Sequence, residues 1–315
     1  MKNKPDGLFF NRQFCVEAQN CYDRRGEITC VISPRGLSIP LRHGGKMRNR
    51  QIDHGLEFDW GRASEDYAKY RDIYPERFFQ EIRGLGLCER GRNVLDLGTG
   101  TGVLPRHLSR FGAHFTGVDI SENQIGQARR LTKEAGLDID YVVSPAESVD
   151  FPDHTFDAVL ACQCFMYFDK TKIFKKVHRL LKDNGHFCIL FMAWLPGESE
   201  IARRSEELVL KYNPQWTGAH MKRVMPQMPE EAEELFAVEQ AGGFDLDLTF
   251  TRDSWNGRIR ACRGIGASSL PEEEIARFEE EHLAFLAGVP EPFVIPHYAT
   301  VLNLRRLFVP EGEGS

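Results

Sequence analysis

The sequence predicts an α/β protein built on a doubly wound, mostly parallel sheet. From residue 92 to 194, apolar segments of strand length alternate with segments of helical period, and a glycine-rich turn follows the first strand. The 315 residues, 42% hydrophobic and 27% charged, are enough to bury one large α/β core or two smaller ones. Low mean hydropathy with 11% aromatic residues argues against both a membrane protein and a disordered chain. The longest apolar run, residues 187–195, is far short of the ~20 residues of a spanning helix. The N-terminus lacks the apolar core of a signal peptide, so a cytoplasmic protein without membrane contact is expected.

Residues 1–50 hold ten Lys and Arg against four Asp and Glu, a net +6, while the whole chain carries −6. The basic residues are scattered, so no nucleic-acid arm is expected, and the acidic remainder suits no polyanion. Turn-rich stretches such as Ser33-Pro34-Arg35-Gly36 and weak periodicity predict a poorly ordered or variable extension over 1–50, with Met47 a natural alternative start. A short β-hairpin over 28–39 is the alternative. Residues 51–315 are expected to form one domain, with a core over 91–194, a helical cover over 195–243, and late strands and lid helices over 244–310.

Within that domain each element has a local reason. Tyr67, Tyr70, Ile73, Tyr74, Phe78, Phe79 and Ile82 have helical spacing broken by Pro75, so two short helices are predicted. Residues 93–97 are an apolar strand, and a helix runs from the glycine turn through Phe111 with Pro105 in its first turn, where its missing N–H costs nothing. A second strand covers 114–120. Ser121-Glu122-Asn123-Gln124 has capping-box spacing and opens a helix that Gly136 closes. Strands follow at 139–143 and 156–161, then an amphipathic helix at 170–181 and a buried strand at 186–194. Residues 244–251 alternate like a strand with one polar face, helices are expected near 253–263 and 271–287, and the last strand spans 297–309.

The eight cysteines lack the Cys-x2-Cys pairing of a structural zinc site, so free thiols and no metal are expected. The chemistry lies in Asp96-Leu97-Gly98-Thr99-Gly100-Thr101-Gly102, with Asp119 at the end of the next strand. Ligands of open α/β sheets sit at the carboxyl ends of the strands, and glycines there let a ligand approach the backbone. An acid about twenty residues on can accept both ribose hydroxyls. Dinucleotide enzymes require Gly-x-Gly-x-x-Gly beneath a pyrophosphate, but Val103 stands at the sixth position. Asp96 would repel a pyrophosphate and pair with an ammonium group. A ribose, an adenine and a cationic amino-acid tail without phosphates describe S-adenosylmethionine. An NAD(P)-dependent oxidoreductase and a non-catalytic S-adenosylmethionine-binding regulator are the alternatives.

These residues resemble the class I S-adenosylmethionine-dependent methyltransferases of the small-molecule type, over about 60–195. Further on, residues 251–258 are similar to the late helix of trans-aconitate-type methyltransferases. The resemblance implies seven strands in the order 3-2-1-4-5-7-6 with the last antiparallel, and helical lid insertions. It also implies that Gly98, Thr99 and Gly100 lie under the methionine moiety, with Asp96 near its amino group. Asp119 would hold the ribose and Ile120 would pack on the adenine. Ala146 and Glu147 would flank the adenine edge, Cys162 would close the pocket, and Tyr67 and Arg71 would lie over the cofactor carboxylate. Pro145 stands where the family often has Asp.

Methyl transfer from a sulfonium is an in-line displacement that needs alignment and exclusion of water, and a general base only for a protonated acceptor. Such a base would come from His220 or His297, in segments expected to face the pocket. His154 and His282 are expected to be solvent-exposed. Trp255, Arg258, Arg260 and Arg263 fall on the helix that the family places over the acceptor. With Trp216, Trp255 and Arg258 are the expected substrate contacts, a guanidinium suiting a carboxylate. The expected activity is methylation of a small-molecule acceptor, on oxygen.

Overall fold

The computed structural model describes residues 19–22, 28–32, 38–40, 46–49 and 52–309. The chain divides into two compact units, Met1–Gly44 and Gly45–Ser315. In the first, β1 (Gln19–Tyr22), β2 (Ile28–Ile32) and β3 (Ser38–Pro40) form an antiparallel sheet in that order. The β2–β3 pairing falls where the hairpin alternative put it. How ordered the rest of this head is lies outside the described residues. The second unit begins at Gly45 and takes in Met47 through β4 (Lys46–Arg48), which pairs with β5 (Glu57–Asp59).

Two helices follow, α1 (Ser64–Tyr70) and α2 (Glu76–Gly84), and Pro75 separates them as the second helix's N-cap. Five parallel strands come next: β6 (Asn93–Leu97), β7 (His114–Asp119), β8 (Asp140–Val143), β9 (Phe156–Cys162) and β10 (Leu181–Trp194). They are joined through α3 (Val103–Leu108), α4 (Glu122–Glu134) and α5 (Lys170–Leu180). Ser121 caps α4 by accepting from the Gln124 amide. The Gln124 side chain does not complete a capping box; it donates to the Trp60 carbonyl at 3.1 Å and so ties α4 to the segment before α1.

After α6 (Glu200–Tyr212) come the long strand β11 (Phe236–Phe250), α7 (Arg252–Arg260), α8 (Glu272–Leu286) and β12 (Phe293–Arg306). The sheet order is β11-β12-β10-β9-β6-β7-β8, with β12 antiparallel to both of its neighbours. Numbering the sheet's own strands in chain order gives 3-2-1-4-5-7-6, as expected.

The helical cover is only partly helical. Helix α6 stops at Tyr212; Pro214, Gly218, Pro226 and Pro229 then deny a helix its amides and dihedrals. Residues 236–243 belong to β11, which therefore begins eight residues earlier than its alternating pattern suggests, because Gly242 and Gly243 hide the alternation. The core lies on both faces of the sheet. Val94, Ala158 and Leu160 point to one face and Leu95, Val159 and Ala161 to the other, the period-two alternation of buried strands. Among the described residues no helix is long and apolar enough to cross a membrane.

Candidate active site

One cavity of about 380 Å³ opens at the carboxyl tips of β6, β7, β9 and β10, where the parallel topology places ligands. Its floor is the turn after β6. Gly98 has φ of +63°, and a Cβ there would lie 2.6 Å from the Cys164 Cβ. Gly102, at φ +75°, faces the Tyr141 hydroxyl, which a Cβ would approach to 2.3 Å. The turn is thus bare because both backbone and neighbours require it.

The two acids of the motif do different things. Asp96 is almost fully buried, and its carboxylate accepts the Thr99 hydroxyl proton at 2.6 Å behind the turn. Burial pushes its pKa up to about 7; the Thr99 bond opposes the shift and Asp119 adds to it. Asp119, at the tip of β7, lines the cavity, and its two oxygens accept amide protons from Gly100 (2.9 Å) and Ser121 (2.8 Å). These bonds fix the carboxylate's orientation and leave each oxygen a lone pair for a ligand. Burial raises its pKa, while the Ser121 and Gly100 amides lower it.

Around this floor, Ile120 presents an exposed apolar side chain, and Ala146, Glu147 and Cys162 close the far wall. The Glu147 carboxylate accepts the Asp169 amide at 2.9 Å, which anchors the loop after β8 to the start of α5. Burial pushes the Cys162 thiol up to about 12, so it is a small filler with its sulfur 3.6 Å from the Tyr74 hydroxyl. Opposite, the Arg71 guanidinium lies 4.6 Å above the Tyr67 ring, and both line the cavity. Nine of the eleven residues expected to contact a cofactor line this one cavity. Asp96 and Thr99 stand behind it as support for the turn.

The expected acceptor residues divide. Trp216 and Arg258 line the cavity; Trp255 does not. It is fully buried, donates to the Ser205 hydroxyl at 2.9 Å and packs edge-on to Trp194 and Phe250, so it holds α7 in the core. Neither candidate base lines the cavity. His220 is exposed at a separate surface depression, its Nδ1 3.8 Å from Glu206. His297 is fully buried, with Nδ1 2.9 Å from the Ile295 carbonyl, and burial lowers its pKa to about 4. Its ring stacks on Phe250 rather than on a ligand. His282 is likewise fully buried, bridging Ser205 and Asn256, contrary to the exposure its acidic neighbours suggest.

Sequence reasoning did not find Trp60, the wall formed by Phe191, Met192 and Trp194, or Tyr167. The tip of β10 could have been inferred from the rule that strand ends carry the ligand. Trp60 and Tyr167 carry no local signal; long-range packing brings them together with ring centroids 6.3 Å apart.

A family model described as a methyltransferase domain matches residues 95–189. Over 192 residues the chain is 30% identical to the ubiquinone biosynthesis O-methyltransferase of Pseudomonas aeruginosa, an alignment covering 59% of this chain and 78% of that enzyme. The chain belongs to the S-adenosylmethionine-dependent methyltransferases. Another relative of this chain is the ubiquinone biosynthesis O-methyltransferase of Bradyrhizobium diazoefficiens, 33% identical over 157 residues, or 50% of this chain. The alignment spans only 61% of that relative's length. Among solved structures, the geranyl diphosphate C-methyltransferase of Streptomyces coelicolor A3(2) is similar with a TM-score of 0.42 and 20% identity, covering 74% of this chain and 79% of that one.

The residues present fit the family's cofactor. The bare Gly98 turn leaves room for a ligand against the backbone, Asp119 offers two oriented oxygens, and Ile120 offers an apolar platform beside them.

Proposed function

We propose that the protein transfers the methyl group of S-adenosylmethionine to a small-molecule acceptor, on an oxygen atom. The observation that carries this is the convergence of the Gly98 turn, Asp119, Ile120, Ala146 and Glu147 on one cavity whose other wall is made by Trp194, Trp216 and Arg258. The first set suits an adenosyl group and the second a separate small molecule. When bound, the cofactor supplies an electrophilic methyl on a sulfonium.

In this reading Asp119 holds the ribose hydroxyls and Ile120 packs on the adenine. Arg71, stacked on Tyr67, neutralises the cofactor carboxylate. Asp96 keeps the turn in shape through Thr99 and supplies negative charge beneath the amino group. Trp194, Trp216 and Tyr167 exclude water from the acceptor end. That end presents no histidine among the described residues, and with water excluded the acceptor oxygen arrives already ionised. The small-molecule relatives named as O-methyltransferases support oxygen over nitrogen or carbon.

The test is transfer of a radiolabelled methyl group from S-adenosylmethionine into a metabolite extract, with binding of the cofactor, its demethylated product and NAD measured calorimetrically in parallel. Labelled product that is stable to amine-specific chemistry supports the reading. Tight cofactor binding without any transfer would favour a regulator over an enzyme.

A further inference from the structure

The acceptor end of the cavity has an unusual charge balance. Arg258 is 3% exposed and lines the cavity, its guanidinium 5.1 Å above the Trp194 ring. Its Nε and Nη1 are buried without a hydrogen-bond partner, and among the described residues it makes no ion pair. Arg263, on the same wall, has its Nε 3.3 Å from Asp53 but leaves a buried Nη1 unpartnered. Arg71 is the third cation of the lining. The cavity's own carboxylates, Asp119 and Glu147, are engaged by backbone amides at the opposite end.

A buried guanidinium with unmet donors is costly unless something fills them. Burial, with Arg71 adding to it, lowers the Arg258 pKa to about 9, the mark of a desolvated cation lacking a counter-charge. The neighbouring α7 arginine shows the contrast. Arg260 reaches Asp66 and Glu279 at the surface and is fully paired. The helix thus satisfies its outward arginine and leaves its inward one open.

We infer that the acceptor is a carboxylic acid with an apolar or aromatic body, its carboxylate held by Arg258 and its body against Trp194 and Trp216. This rests on the methyltransferase reading and narrows it. A protonated amine would meet the arginines and a sulfonium together and be repelled. A neutral acceptor could offer Arg258 an oxygen but would leave its charge uncompensated, whereas a carboxylate both accepts from the guanidinium and neutralises charge at the methyl-transfer end.

The experiment uses the full chain saturated with S-adenosylhomocysteine and follows tryptophan fluorescence. The probes are benzoate, phenylacetate, cinnamate, indole-3-acetate and dodecanoate, each against its own carboxamide. We expect at least one acid to bind about tenfold or more tighter than its amide. In Arg258→Gln that margin should shrink to about twofold, and Arg258→Lys, which keeps charge without the planar fork, should keep part of it. Affinity for S-adenosylhomocysteine should stay within about twofold of wild type in both. Acids no better than amides, no binding of any acid, or a margin that survives Arg258→Gln would each overturn the inference. So would a large loss of S-adenosylhomocysteine affinity in that variant, which would assign the arginine to the cofactor. Failure of the wild-type chain to bind S-adenosylhomocysteine would instead defeat the methyltransferase reading. If Arg258→Gln does not fold, Arg258→Lys alone decides, since an unchanged margin there contradicts the bidentate contact.

Discussion

The two ends of the cavity are built on different principles. The end at β6 and β7 is a local device. Five residues of turn, one acid behind it that accepts the Thr99 hydroxyl, and one acid 21 positions after the first glycine that accepts two backbone amides make the floor. The end beneath α7 is assembled from afar. Asp53 accepts the Thr217 amide and hydroxyl from 164 residues away and pairs with Arg263, while Asn213 donates to the Gly264 carbonyl. A backbone floor binds what all members of a fold share, and a side-chain wall joined by long-range contacts can change with the substrate.

If that division is right, the largest effects belong to the floor. Gly98→Ala places a Cβ 2.6 Å from the Cys164 Cβ at a positive φ. Steric and backbone strain together, about 3 kcal/mol, should lower S-adenosylmethionine affinity by about a hundredfold or unfold the turn. Calorimetry alongside thermal unfolding separates the two, and near wild-type affinity would mean that the turn is not the floor.

Next comes Asp119→Ala. Loss of the charge-assisted ribose contacts, about 1.5–3 kcal/mol in all once the freed hydroxyls are rehydrated, should weaken the cofactor ten- to a hundredfold while leaving acceptor probes unaffected. Equal loss at both ends, measured by titrating each ligand separately, would dissolve the comparison.

Asp96 gives a pH signature. Its folded pKa, near 7, lies above the ordinary carboxylate value of 3.8. The unfolded chain therefore ionises first, and stability falls as pH rises from about 4 to about 7, then levels off. Cofactor binding has the opposite slope: a cationic ligand favours the ionised acid, so affinity should be about tenfold lower at pH 6 than at pH 8. Asp96→Asn should flatten both profiles; a variant that keeps the wild-type slopes would assign the titration to another group.

The smallest effect is expected at the discarded base. His220→Ala should change turnover by less than about twofold, because the side chain is exposed outside the cavity. A steady-state rate reduced tenfold would restore it to the mechanism.

The same contrast explains what the sequence could reveal. The alternation of strands and helices, the α1–α2 break at Pro75 and the Gly98–Asp119 floor follow from spacing within short windows, where period, glycine and proline speak directly; the strand order came from the family resemblance. The family resemblance then supplied the remaining residues of the nine that line the cavity. Of the cavity wall beneath α7, only Trp216 and Arg258 were legible. Trp255 shares a helix face with Arg258, but one turn of α7 separates a residue packed against Ser205 from one lining the cavity, and helical spacing does not resolve that. His282 is masked by Glu279, Glu280 and Glu281, though its own face points at Ser205 and Asn256. The irregular path from 213 to 235 is set by prolines that mark where helix ends, not where the chain goes next.

The most direct test of the central claim is a crystal structure of the full chain with S-adenosylhomocysteine. Both ribose hydroxyls should lie about 3 Å from the Asp119 carboxylate, with the adenine on Ile120 and the sulfur facing the chamber of Trp194, Trp216 and Arg258. A homocysteine carboxylate seated on Arg258, or an adenosyl group away from the tip of β7, would contradict it.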